Sequence, residues 1–353
     1  MLSLELLFLK PFGLLTNISV PLRPLNRGVE QLVARRAHNP KVVGSSPASA
    51  TKKALDFQSR GLLFFCLYLI SRGYHFCAAL LLSNNMNWLS IHFYPLENQD
   101  VFLVRGLHPF LQQYIWANKG TRAFFIRYQD ERGPHIRLRM RGEAAWLEET
   151  LRPAFDGWQE GRGEWTEVPY VPETARFGGE AGLALSEEYF HLSSRVCLER
   201  LARAQQTYGD TMFDALRMHT ITAHAAGLNQ EQAARYFEQL AAQWLPLFFA
   251  ENAEPNPDFL TTVMDGFEQN LAPQKEDLRS TLFELWKALE KDSFDKKQPE
   301  WARWALGNRM ILKELDHNLD RALPSLLHLT NNRLGINNQD EVYLNYILAN
   351  TLL

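Results

Sequence analysis

The sequence has few cysteines and no excess of basic residues. Its 353 residues include three cysteines, Cys66, Cys77 and Cys197, without CxxC spacing or a paired histidine cluster. This argues against a structural zinc and against a disulfide framework, and it fits a reducing cytoplasm. The formal net charge of −3 gives no bulk attraction to nucleic acid, so we expect no direct nucleic-acid partner.

Long hydrophobic runs and nucleotide-binding motifs are also absent. Residues 61–70 are apolar, but polar and charged residues at 71–75 interrupt them before the next apolar stretch. Neither half reaches the roughly 20 residues that span a bilayer, so we predict no membrane segment. No GxGxxG, P-loop or GxSxG motif occurs, which leaves nucleotide binding and elbow-serine chemistry unsupported.

Residues 1–85 differ in character from the rest of the chain, because they show no sustained helical or strand period. Within them, residues 28–51 closely resemble the translation of a transfer-RNA gene, as happens when a start site is placed too far upstream. We therefore expect residues 1–85 to be a spurious or disordered extension and translation to begin at Met86. N-terminal sequencing of the native protein tests this expectation.

From Met86 onward the hydrophobic pattern becomes regular. Period-two alternation predicts strands at 88–94, 124–128, 135–141 and 165–170, with the middle two joined by a turn at 129–134. Helical spacing predicts helices at 101–117 and 143–158. The resulting order, strand, helix, strand, strand, helix, strand, is ferredoxin-like: helices cover one face of an antiparallel sheet and leave the other open.

After Pro172 a glycine-rich loop at 173–179 leads into a part that is almost entirely helical by pattern. Ser186 is the predicted N-cap of a helix that runs to about Gln206. Further helices are predicted at 210–225, 230–250, 275–291, 301–322 and 339–352. The fold class is thus α+β, with one domain at 86–353 that comprises a sheet part, 86–172, and a mainly helical part, 173–353.

One predicted strand carries a row of cations. His135, Arg137, Arg139 and Arg141 share one face, while three apolar residues, Ile136, Leu138 and Met140, share the other. In an ordinary surface strand, solvent or neighbouring glutamates satisfy such a row. The alternative is a site for a carboxylate or phosphate, which the planar guanidinium fork suits.

Histidines provide the other candidates. His328 lies four residues before Asn332 and five before Arg333, and Gly335 is a predicted helix C-cap. A lone histidine beside leucines is more often a hydrogen-bonded core residue than a functional one. His219 and His224 are five residues apart, which suits neither one helix face nor a metal pair, so we predict no metal site.

Four segments in this order, WLSIHFYP, AFFIRYQDERGPHIRLRMRG, PETARFGGEAGLALSEEYFHLSS and LLHLTNNRLGI, resemble the C-terminal domain of LanB-type lantibiotic dehydratases. The same domain occurs alone in thiopeptide-type bacteriocin biosynthesis proteins. The resemblance implies a lyase without a cofactor that eliminates glutamate from glutamylated Ser or Thr of a ribosomal precursor peptide, giving dehydroalanine or dehydrobutyrine. It also implies a separate LanB-type partner that performs the glutamylation, and a homodimer is a further possibility.

By motif, the resemblance assigns catalytic roles to Arg137, Arg139, Arg176 and His328. The three arginines are also expected to bind substrate, as is Arg333, although the run after His328 is shorter than in some relatives. A glutamyl ester carries a free carboxylate and releases a second one on elimination, and both call for guanidinium partners. His328 is a candidate base for the α-proton. His135 and Arg141 are left as surface charges.

Two other functions remain open at the level of sequence. One is the pyridine-forming cycloaddition between two dehydroalanines that thiopeptide synthases perform, which does not need the same glutamate-binding arginines. The other is a non-catalytic protein that binds a precursor peptide by adding a strand to the sheet.

Overall fold

The computed structural model describes residues 86–245, 257–294 and 297–353. The expectations for residues 1–85, including the start at Met86, lie outside the described residues. Within the described ranges, no helix is both long enough and apolar enough to span a membrane.

Four antiparallel strands form the sheet: β1 (Met86–Pro95), β2 (Arg122–Asp130), β3 (Gly133–Glu143) and β4 (Gly163–Glu167). Their spatial order is β2-β3-β1-β4, which confirms the predicted ferredoxin-like arrangement. The hairpin turn is shorter than the pattern indicated, because the register pairs Asp130 with Gly133 and leaves only two residues between the strands.

Two helices cover one face of this sheet: α1 over residues 99–116 and α2 over residues 144–159. Helix α1 runs through Gly106 and Pro109, and two of its stretches, Phe102–Leu107 and Gln112–Trp116, have π-helical hydrogen bonding. The apolar residues of alternate strand positions pack against both helices. This core includes Leu89, Ile91, Phe93, Phe125, Ile136, Leu138, Met140, Leu103, Leu107, Leu151 and Phe155.

A 3₁₀ turn, Thr174–Phe177, leads from the sheet into the helical part. The helices that follow within the described ranges are α3 (Glu180–Leu201), α4 (Tyr208–Ala225), α5 (Gln230–Trp244), α6 (Pro257–Leu271), α7 (Lys275–Glu290), α8 (Pro299–Leu315), α9 (Leu319–Leu334) and α10 (Asn338–Thr351). A second core, separate from that of the sheet, fills the space between them.

Three helix predictions were wrong. Ser186 is not an N-cap: α3 begins at Glu180, and the buried Ser186 hydroxyl donates to the Gly182 carbonyl, a bond that serine also forms inside helices. The predicted helix 301–322 is divided at Asp316, whose φ is 39°, and continues as α9 through Pro324. Helix α6 was not predicted, because the two prolines at 255 and 257 are typical of a break between helices, whereas the helix begins at the second of them.

The helical part is joined to the sheet along the outer edge of β2. Alternate backbone N–H groups of this strand donate to side chains: Ala123 to His191 Nδ1 at 3.1 Å, and Phe125 to Ser194 Oγ at 3.2 Å. Next along the edge, Arg127 donates to the side chain of Asn332. Because these bonds occupy the edge, β2 is closed to strand addition by a peptide.

The second face of the sheet is not open along its whole length. Phe124, which shares this face with Arg139, is 3% exposed and packs on Phe190 of α3 with ring centroids 5.3 Å apart. The sequence pattern could not show this cover, because α3 lies more than fifty residues further along the chain.

Candidate active site

The predicted row of cations lies on the second face of the sheet, in the middle of its four strands. In the register, Arg137 is paired with His92 on β1 and with Ile126 on β2, and Arg139 occupies the next position on the same face. The Arg137 guanidinium carbon lies 3.3 Å from the centroid of the Tyr128 ring. A cation–π contact of this kind positions a guanidinium and leaves its terminal N–H groups for another partner.

Arg139 is held by backbone carbonyls. Its Nη1 donates to Ile91 O at 3.2 Å and to Leu138 O at 3.1 Å. Burial, with a contribution from Arg137, lowers the pKa of Arg139 to about 10, so it remains a cation at neutral pH. Within the described ranges neither Arg137 nor Arg139 forms a salt bridge with a carboxylate, although the two guanidiniums are near neighbours.

The assignment of His135 as a surface charge was wrong. Its side chain is 0% exposed and its ring lies against the rings of Tyr94, His92 and Tyr128, with centroids 4.6, 5.0 and 5.3 Å away. Burial lowers the pKa of His135, which favours the neutral ring. The strand pattern gave no indication of these aromatic neighbours. Arg141 is half-buried, with its guanidinium 5.8 Å from the Trp88 ring.

A cluster of aromatic rings connects Arg139 to the glycine-rich loop. Trp88, Phe124, Tyr170, Phe190 and Phe177 form this aromatic cluster, in which successive centroids are 5.0–6.0 Å apart. The Arg139 guanidinium lies 5.7 Å from the Tyr170 ring, and the Tyr170 hydroxyl donates to Glu187 Oε1 at 2.8 Å. Burial raises the pKa of Glu187.

The Arg176 side chain is held by two hydrogen bonds, one to α9 and one to its own loop. Its Nε donates to Ser325 Oγ on α9 at 2.7 Å, and its Nη1 donates to Glu173 Oε2 at 3.2 Å. Gly178 ends the 3₁₀ turn with φ 84°, and a Cβ at this position would lie 2.1 Å from Asn318 Oδ1. Glycine is therefore required here both by the backbone and by the close approach.

His328 on α9 is paired with a carboxylate. Its Nδ1 lies 2.9 Å from Glu341 Oε2 on α10, and its ring stacks on Trp244 at 4.8 Å with an interplanar angle of 17°. An ionised carboxylate only accepts hydrogen bonds, so the Nδ1 of a neutral His328 carries the proton and Nε2 keeps its lone pair. This is the geometry of an oriented base.

Helix α9 brings the loop and the histidine together. Ser325, His328 and Asn332 lie on one stripe of the helix, at spacings of three and four residues. Ser325 accepts from Arg176, and Asn332 Nδ2 donates to Arg127 O at 2.9 Å on β2, the strand next to Arg137. The stripe thus links three of the predicted site segments.

Arg333 does not lie on the stripe of α9 that carries His328. It follows His328 by five residues, about 140° around the helix. Its side chain is 0% exposed, and Nε donates to Ser194 Oγ at 3.0 Å inside the helical part. Burial lowers the pKa of Arg333 to about 10. The structure does not bring Arg333 to the stripe that carries His328, and the substrate contact assigned to it stays a prediction.

Sequence reasoning missed His92, Glu341 and Trp244. His92 lies on the same face of the sheet as Arg137 and Arg139. Burial together with these two arginines lowers the pKa of His92 to about 4. The only sequence signal for His92 was its alternate position in β1. Glu341 and Trp244 reach His328 from other helices, so spacing gave no indication of them.

The family model described as "Lantibiotic biosynthesis dehydratase C-term" matches residues 88–352. No curated protein matches the chain.

Three solved structures share the fold over 75% of this chain. The tRNA-dependent lantibiotic dehydratase MibB from Microbispora sp. 107891 has a TM-score of 0.52 and 21% identity, and the match covers 28% of its length. The pyridine synthase TbtD from thiomuracin biosynthesis has a TM-score of 0.59 and 16% identity over 97% of its length. TsrL has a TM-score of 0.52 and 15% identity over 93% of its length.

Proposed function

Because the chain belongs to the lantibiotic biosynthesis dehydratase C-terminal family, we propose that it eliminates glutamate from glutamylated Ser or Thr residues of a ribosomally made peptide. The observation that carries the proposal is a carboxylate-oriented histidine in the same domain as two neighbouring guanidiniums without a carboxylate partner in the described residues. The histidine supplies a base, and the two guanidiniums supply a place for an anionic leaving group.

His328 Nε2 takes the α-proton of the esterified residue, and Glu341 stabilises the imidazolium that forms. The Cβ–O bond then breaks, its electron pair leaves with the glutamate carboxylate, and the Cα–Cβ double bond of dehydroalanine or dehydrobutyrine remains. Arg137 and Arg139 hold the glutamyl carboxylates, and Arg176, which donates to Ser325 three residues before His328 on α9, stabilises the charge that develops on the peptide carbonyl. The proton on His328 finally passes to solvent.

This reaction needs a glutamylated substrate. The match covers 28% of the chain of MibB, a tRNA-dependent lantibiotic dehydratase. We propose that a separate LanB-type protein glutamylates the precursor peptide and that the present chain acts on the product. Co-expression of the precursor with both proteins tests this: the dehydrated peptide should form only when both are present.

Pyridine-forming cycloaddition is the second candidate, and the fold likeness to the pyridine synthase TbtD supports it. Its substrate, a peptide with two dehydroalanines, has no glutamyl carboxylate. Cycloaddition therefore gives no reason for adjacent guanidiniums at Arg137 and Arg139, and we place it after elimination.

The direct test incubates the purified chain with a peptide that carries a chemically glutamylated serine and follows its mass. Elimination removes a whole glutamic acid and leaves dehydroalanine. Recovery of the serine hydroxyl, or an unchanged mass, contradicts the proposal. A peptide with two dehydroalanines in the same assay tests for the pyridine product.

Variants connect the activity to the site. We expect Arg137→Ala and His328→Ala to leave the glutamylated peptide unreacted. Arg309→Ala is the matched control, because Arg309 forms an exposed ion pair with Asp292 in the helical part. Undiminished turnover in both site variants would contradict the assignment of the site.

A further inference from the structure

His92 lies beside Arg137 and Arg139 on the second face of the sheet. It faces Arg137 directly across the β1–β3 pair and is half-buried on the face that the row occupies. Its ring contacts the ring of His135, with centroids 5.0 Å apart and an interplanar angle of 33°. In the part of the chain that the structure describes, neither ring nitrogen of His92 has a hydrogen-bond partner.

The groups around His92 come from every strand of the sheet. Strand β3 presents Arg137, Arg139 and His135, strand β4 presents Thr166 opposite His92, and Asp130 at the end of β2 acts on it from further away. Burial lowers the pKa of His92, the two arginines lower it further, and Asp130 opposes them only in part. A cation at this position would add to the repulsion within the row.

We propose that His92 is a third contact for the free carboxylate of the glutamyl group, donating a hydrogen bond from its neutral imidazole to the anion that Arg137 and Arg139 hold. This inference rests on the proposed function, because it concerns how the same site recognises its substrate. A neutral imidazole offers one N–H, and a carboxylate oxygen has lone pairs to spare after two guanidiniums bind.

The chemistry favours a neutral donor over a third cation. One carboxylate carries a single negative charge, and the row already provides two positive ones from Arg137 and Arg139. A neutral N–H adds a directional bond without further charge repulsion. Together with the two guanidiniums it surrounds the group with donors only, which fits the two oxygens of a carboxylate but not the NH2 end of a neutral amide. His92 is therefore a specificity contact for glutamate, while His328 remains the base.

Nitrogen NMR of the full chain at pH 7 tests the contact, with glutarate as the probe and glutaramide as its neutral match. We expect glutarate to shift the ring nitrogen resonances of His92 and glutaramide to leave them unchanged. His224, a half-buried histidine against Trp286 in the helical part, is the internal reference and should not respond. Arg137→Gln should abolish the response of His92.

Kinetics with the glutamylated peptide provide the second measurement. We expect His92→Ala to raise KM about tenfold while kcat changes by less than about threefold, because the bond is made equally in the ground and transition states. His92→Gln keeps an N–H donor and should recover most of the loss. A merely structural role would not be rescued in this way.

The outcomes separate the two proposals. If glutarate binds, as followed by calorimetry, without a change at His92, or if glutarate and glutaramide act alike, the contact is refuted. Failure of glutarate to bind refutes it as well. If the chain fails to eliminate glutamate but His92 responds to glutarate, the contact stands and the elimination proposal falls.

Discussion

Glu341 Oε2 lies 2.9 Å from Nδ1 of His328, across the interface of the last two helices. The glutamate is almost fully buried, and one face of the imidazole stacks on the Trp244 ring. The ring therefore has one orientation, fixed by a bond at one edge and a stacked indole at one face. This is the arrangement that a general base needs to reach a proton repeatedly in the same geometry.

The first prediction concerns the pair of His328 and Glu341. Glu341→Gln keeps the shape of the side chain but removes the negative charge that stabilises a protonated His328. We expect kcat for glutamate elimination to fall about 10²-fold, with a smaller change in KM. Single-turnover assays on the glutamylated peptide measure this.

Asp340→Asn is the matched control for Glu341→Gln. Asp340 is the preceding residue of α10, but it accepts from the Tyr208 hydroxyl and from Asn337 rather than from His328. The control should keep the wild-type rate. An equal loss in the two variants would mean that the effect comes from α10 as a whole and not from the His328 pair.

The loop that carries Arg176 gives the second prediction. Gly178→Ala places a Cβ against the side chain of Asn318 and adds the cost of a left-handed φ, about 1 kcal/mol. We expect lower thermal stability and reduced elimination, because Arg176 moves with the turn. Asn318→Gly removes the obstructing side chain.

A double-mutant cycle separates these two costs. Gly178→Ala with Asn318→Gly should recover the part of the loss that comes from the clash and retain about 1 kcal/mol from the backbone. Asn318→Gly alone provides the reference. Strict additivity of the two changes would show that the close approach has no energetic consequence.

Much of the fold could be predicted from local patterns. Alternation in β1, β2 and β3 and helical spacing in α1 and α2 are properties of short segments, and their order was enough to give the ferredoxin-like arrangement. The errors lie where tertiary contacts override a local signal. Pro324 is accommodated six residues into α9, and Ser186 bonds inside α3 instead of capping it.

The site could be predicted only in part, for a similar reason. Arg137 and Arg139 stand out by their alternation, and Arg176 and His328 by resemblance to family motifs. The partners that orient them come from distant positions: Trp244 and Glu341 reach His328 from α5 and α10, and Ser325 reaches Arg176 from α9. Spacing along the chain carries no information about such contacts.

The edge of β2 gives the third prediction. Asn332 makes two bonds of 2.9 Å with the backbone of Arg127, one to its N–H and one to its carbonyl. Asn332→Ala leaves both groups unpaired at the junction of the sheet and α9. We expect a loss of about 2 kcal/mol in the free energy of unfolding, measured with urea, together with reduced elimination.

Asn118→Ala is the control for Asn332→Ala. Asn118 also donates to a backbone carbonyl, that of Tyr114, but in an exposed position where water replaces the bond. Its loss should stay within about 0.5 kcal/mol. A similar loss at the two positions would contradict a specific role for Asn332 in joining α9 to β2.

The last prediction concerns pH and His219, which is fully buried in α4 and stacks on Phe237. Burial lowers its pKa from 6.5 to about 3, so below pH 6.5 the unfolded chain takes up a proton that the folded protein does not. Stability from this group is therefore complete above pH 6.5 and falls by about 2 kcal/mol at pH 5.

In urea unfolding at pH 7.5 and pH 5, His219→Phe should lose less stability on acidification than the wild type, whereas the exposed His317→Gln should behave as the wild type. Equal pH dependence in all three proteins would refute the assignment.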